Sequence, residues 1–162
     1  MNQQDALGRT ALGEAAASGR KDAVRLLLDR GAAIDGRDSR GRTPLMHAAK
    51  HGHTDVAALL LGRGAALLMD DNSWGPLHHA AASGCKDMVE LLLEKGADVH
   101  ASTTPPSYFK PLDLALHEGH VTVAQVLRQV NCFGNAVEIP THGCGCDWLA
   151  SAYQVLSCTA SC

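Results

Sequence analysis

The sequence predicts an all-α fold, a solenoid of four helix-turn-helix units with projecting β-turns, followed by an irregular C-terminal tail. Three observations predict it. The stretch GRTPLMHAAKHGHTDVAALLLGRGA (41–65) has its outline copied before it, as GRTALGEAAASGRKDAVRLLLDRGA (8–32), and after it, as WGPLHHAAASGCKDMVELLLEKGA (74–97). Three sets of markers share one spacing of 33, 32 and 35 residues: Gly19, Gly52, Gly84 and Gly119; Gly31, Gly64, Gly96 and Asn131; Ala11, Pro44, Pro76 and Pro111. Leucine trios recur in the second half of each of the first three units. A period in this range is the mark of a stacked repeat.

Each unit opens on a short polar turn, such as DSRGR (38–42). Thr43 is suited to cap the helix that follows, and Pro44 to its first turn, where no backbone N–H is needed. The pairs Ala15/Ala16, Ala48/Ala49 and Ala80/Ala81 put small side chains where helices of adjacent units must approach. Gly52 is placed to end the first helix with a left-handed cap. The second helix carries VRLLL, VAALLL or MVELLL. A buried leucine contributes roughly 1.5–3 kcal/mol, so the trio is expected to dominate each unit. One unit cannot bury that face alone and must stack on its neighbours. The fourth unit keeps the pattern in KPLDLALHEGHVTVAQVL (110–127), behind a longer lead-in, STTPPSYFKP (102–111), whose prolines and aromatics predict an extended, protruding loop. Asn131 is expected to end its second helix.

The period near 33 and the T-P-L-H-x-A-like starts make the chain resemble the ankyrin repeat family. The resemblance covers residues 5–131, with repeats at about 5–37, 38–69, 70–101 and 102–131. It implies antiparallel helix pairs whose turns project sideways. It also marks a departure. The family's Thr and His in T-P-L-H hydrogen-bond to each other. Here Thr10 faces Gly13, Thr43 faces Met46 and Gly75 faces His78, so no repeat keeps both partners. Turns held less firmly are expected.

Composition narrows the function. Net charge is −3, too small to imply nucleic acid. The opening MNQQDALGRT has no charged start followed by an apolar core, and no apolar run approaches the ~18 residues of a membrane helix. A cytoplasmic or nuclear monomer is expected. No nucleophile–base pair, phosphate loop or paired carboxylates stand out, so no enzyme and no cofactor are expected. His47 and His51 lie at i, i+4, with His79 one repeat on, but histidines are common structural residues in such repeats and no metal is assigned. Five of the six cysteines follow residue 131. In the tail, HGCGC (142–146) is a weaker zinc signal than Cys-x₂-Cys, and the Cys-rich segment 132–162 is expected to be flexible.

What remains is a surface. In the family, the turn tips and the residues before the glycine of the first helix line the concave face. The resemblance carries this role onto Arg9, Arg40, Arg42, Lys50, His51, Asn72, Trp74, Tyr108, Phe109 and His117. Trp, Tyr and Arg anchors supply much of the energy of interfaces. The expected partner is a protein or peptide, acidic and carrying an apolar anchor, and the expected role is a non-catalytic adaptor. The alternative is a protein kinase inhibitor of the four-ankyrin-repeat type. In those inhibitors the first helix of repeat 2 is shortened, whereas TPLMHAAKHG (43–52) is of full length here.

Overall fold

The computed structural model describes residues 8–105 and 108–133. Those residues form eight helices: α1 Ala11–Ala17, α2 Lys21–Asp29, α3 Pro44–His51, α4 Thr54–Gly62, α5 Pro76–Ser83, α6 Lys86–Glu94, α7 Pro111–His117 and α8 Val121–Phe133. They pair as α1/α2, α3/α4, α5/α6 and α7/α8 and stack in two rows. The first helices pack on one another more closely than the second helices do. Alanines at the contacts allow this: Ala16, Ala48, Ala49, Ala80, Ala81 and Ala115 are wholly buried.

The helix starts follow local rules. Thr43 is extended at the N-cap, and its Oγ1 accepts the Met46 N–H at 3.4 Å. Thr10 Oγ1 accepts the Gly13 N–H at 3.0 Å. Gly52 ends α3 at φ 73°, in the left-handed region. The Thr–His bond is missing, as expected, but the start of each repeat's first helix is braced another way: by threonine in repeats 1 and 2, and by other side chains in repeats 3 and 4. His78 Nδ1 accepts the Gly75 N–H at 3.1 Å, and its Nε2–H donates to the Ala101 carbonyl at 3.1 Å. In repeat 4, Asp113 Oδ2 accepts the Lys110 N–H at 2.9 Å.

The leucine trio is corrected too. Only the central residue is fully buried in repeats 2 and 3, Leu60 and Leu92, while in repeat 1 Leu27 is partly buried and Leu26 is 55% exposed. Successive helical residues point about 100° apart, so three in a row cannot share one face. Equivalent positions along the second helices instead alternate in size. Val24, Ala57, Val89 and Ala124 follow one another, all buried, so bulk in one repeat is met by space in the next. Nor does Asn131 end the last helix. α8 runs on to Phe133, whereas Gly31, Gly64 and Gly96 take positive φ just past the ends of α2, α4 and α6. α3 has eight residues, as α5 does, against seven in α1 and α7. The shortening that the inhibitor resemblance requires is therefore absent. From residue 134 on, the Cys-rich tail lies outside the described residues.

Candidate functional site: the groove between repeats 2 and 3

The tips are built on acidic residues. Asp38 Oδ1 accepts the N–H groups of both Arg40 and Arg42 at 2.9 Å, and the Asp38 N–H donates to the Arg42 carbonyl at 2.9 Å. Asp70 repeats this with Asn72 and Trp74 at 2.9 Å, and its N–H donates to the Trp74 carbonyl at 3.0 Å. The penultimate residue of each tip adopts positive φ: Gly41 at 72° and Ser73 at 60°. The tips are also tied to one another. The Asp71 N–H donates to the Arg40 carbonyl at 3.3 Å, and Thr104 Oγ1 donates to the Asn72 carbonyl at 3.3 Å. In repeat 4 Thr103 replaces the acid. Its Oγ1 accepts the Phe109 N–H at 2.9 Å across a loop two residues longer, 103–109 against 38–42 and 70–74.

The second carboxylate oxygens look inward. Asp38 Oδ2 receives Arg42 Nε at 2.9 Å and Nη2 at 2.8 Å, and lies 3.1 Å from His47 Nε2. Burial would raise the Asp38 carboxyl. The two backbone N–H groups and the Arg42 guanidinium outweigh it and hold the group below its ordinary value. Burial lowers His47, and the charge of Arg42 lowers it further, so it donates as a neutral imidazole. In repeat 3, His79 Nε2 stands 3.4 Å from Asp70 Oδ2, near enough to feel the charge but without hydrogen-bond geometry. Burial pushes His79 down to about 4, against the pull of Asp70. The Trp74 indole lies 5.3 Å from the His79 ring, centroid to centroid.

Between the two tips and α3 and α5 lies a groove of about 350 Å³. Arg40, Arg42 and Lys50 line one side, and Asn72 and Trp74 the other. Asp70 and His79 lie within it, with Ala82 and Ser83. Five of the sequence-derived surface residues thus meet around one space, although Arg42 is already bound to Asp38. The other five do not line it. Arg9 pairs with Glu14 at 3.1 Å, His51 stacks on His53 at 6.3 Å between centroids, and His117 lies beside Glu118. Tyr108, at 61% exposed, and Phe109 stand on the longer loop of repeat 4. Sequence reasoning missed Asp38 and Asp70 as the builders of the tips, and Asp70 as a groove residue. A signal was present, for an aspartate precedes a histidine by nine residues in both repeats.

The family model for ankyrin repeats (3 copies) matches residues 1–71, 35–103 and 65–137. The chain belongs to the ankyrin repeat family. Ankyrin repeats are generally protein–protein interaction modules and are typically non-catalytic. No individual curated protein matches this ankyrin chain. Among its described residues no helix is long and apolar enough to cross a membrane.

Proposed function

We propose that this ankyrin array is an adaptor that holds an acidic segment of a partner protein in the groove between repeats 2 and 3. The observation that carries the reading is the state of two cations. The Arg40 guanidinium and the Lys50 ammonium make no ion pair among the described residues, although both line the same groove. Arg42 and Arg63, by contrast, are neutralised by Asp38 and Asp29. Trp74 adds a large apolar wall, and aromatic and arginine side chains are the groups that most often anchor interfaces. Opposed charge at the rim speeds encounter and selects the partner.

The test is capture from cell lysate with the intact protein beside an Arg40→Glu, Trp74→Ala variant, each checked for folding by circular dichroism. A partner retained by the parent and lost by the folded variant supports the groove. A partner held equally by both places binding elsewhere on the array.

A further inference from the structure

Repeats 2 and 3 build the same tip, but they finish it differently. In repeat 2 the inner carboxylate oxygen is saturated: Asp38 Oδ2 takes two bonds from Arg42 and one from His47. In repeat 3 Trp74 stands where Arg42 stands. The indole supplies no donor to the acid. Asp70 Oδ2 is left facing His79 Nε2 at 3.4 Å, and that nitrogen is itself buried without a hydrogen-bond partner. The Asp70 side chain is 5% exposed and that of His79 10%. A buried polar atom short of a partner is costly and calls for an explanation. Asp70 and His79 both line the groove, so a ligand hydroxyl that donates to Asp70 and accepts from His79 can supply the partner that His79 lacks.

The walls say what kind of ligand. The floor offers the Asp70 carboxylate as an acceptor, beside the unpartnered His79 nitrogen. The Trp74 indole beside it offers a flat apolar face, suited to another ring. The rim carries Arg40 and Lys50, which disfavour a second cation and favour carboxylates. An arginine would satisfy Asp70 but meet two like charges. A phenylalanine would satisfy Trp74 and leave Asp70 as it is. A phenol meets both demands, since it is neutral, flat and ends in a donor.

We infer that the groove takes a tyrosine side chain of the partner, its ring against Trp74 and its hydroxyl donating to Asp70 Oδ2, with flanking carboxylates over Arg40 and Lys50. This rests on the adaptor reading and adds to it the identity of the anchor. It carries a regulatory corollary. Phosphorylation of that tyrosine removes the donor and sets a phosphate against Asp70, so it abolishes binding.

The experiment uses three capped seven-residue peptides of Asp and Glu, with Tyr, Phe or phosphotyrosine at the centre. Binding is read from the Trp74 indole N–H signal by NMR, assigned with Trp74→Phe. The tyrosine peptide is expected to bind about tenfold more tightly than the phenylalanine peptide, the size of a hydrogen bond to a charged acceptor. The phosphotyrosine peptide is expected not to bind. Asp70→Asn keeps an oxygen for the two tip N–H groups and replaces the inner acceptor with an NH₂ group. It is expected to bring tyrosine and phenylalanine to within about twofold. Should that variant lose its fold, the tyrosine-to-phenylalanine ratio on the parent protein decides alone. Equal binding of the two peptides, tighter binding of the phosphopeptide, or no shift of Trp74 by any peptide at millimolar concentration overturns the anchor. The adaptor reading is decided separately by the lysate capture.

Discussion

His53 in repeat 2 donates from Nε2 to the carbonyl of Ala17 in repeat 1, at 3.0 Å. Its ring fills the space over Gly19, where a Cβ would come within 2.7 Å of it. His120 makes the same bond to Ala82 at 3.1 Å, over Gly84. Cys85 holds the equivalent place in repeat 3 and makes no such bond among the described residues. Its Sγ lies over Gly52, so the space exists. Cys85→His is expected to restore the staple by donating to the Lys50 carbonyl. The gain is about 1 kcal/mol, read as a higher urea midpoint with unchanged slope.

Gly41, Ser73 and Tyr108 share the penultimate position of their tips and take φ of 72°, 60° and 42°. An L-residue with a Cβ is strained there and glycine is not. Part of glycine's advantage is cancelled by its greater freedom in the unfolded chain. Ser73→Gly is therefore expected to stabilise by roughly 0.5 kcal/mol. Gly41→Ala is expected to destabilise by about 1–3 kcal/mol, since its Cβ would also press on the Asp71 carboxylate and its backbone nitrogen. Chemical denaturation of both variants checks the opposite signs.

Burial lowers His47, His78 and His79, the last to about 4. Between that value and the unfolded value near 6.5, the unfolded chain binds more protons than the folded one. Stability is therefore full above about pH 6.5 and is lost as pH falls toward 4. For His79 the loss by pH 4 is on the order of 3 kcal/mol. His79→Leu is expected to flatten the acid limb, and Leu114 shows that this position accepts leucine. Melting temperatures from pH 7.5 to 4.5 give the slopes.

Arg40 and Arg42 are two residues apart on one tip, but they should separate in experiment. Arg42→Ala strips Asp38, whose side chain is 3% exposed, of its charged donors. A loss of about 1–3 kcal/mol is expected. Arg40→Ala is expected to leave stability within about 0.5 kcal/mol, as for most surface substitutions, while weakening the partner. Thermal melts beside partner capture distinguish the two. The pattern is reversed if Arg40 carries structure and Arg42 carries binding.

The starts of α3 and α5 were legible because caps and prolines act within one turn of the helix. Thr43, Pro44 and Gly52 each do alone what their residue type predicts. The burial of the leucines was legible only in part. The trio is a run in sequence, whereas a helix face is a set of positions three and four apart, and Leu26 falls off it. His78 shows the limit of reading pairs by motif. Lacking its threonine, it bonds to Gly75 and to Ala101 instead.

The sequence by itself determined the period, the helix pairs and the small residues where helices meet, because these rest on local propensity and on repetition. Only the tertiary structure decided which charges are free. Arg40 and Arg42 look alike in sequence. One finds the inner oxygen of Asp38, which the tip turns toward it, and the other finds solvent. Asp38 and Asp70 look alike as well. What separates them is the side chain four residues on, and whether it can reach back to fill the space that each acid faces.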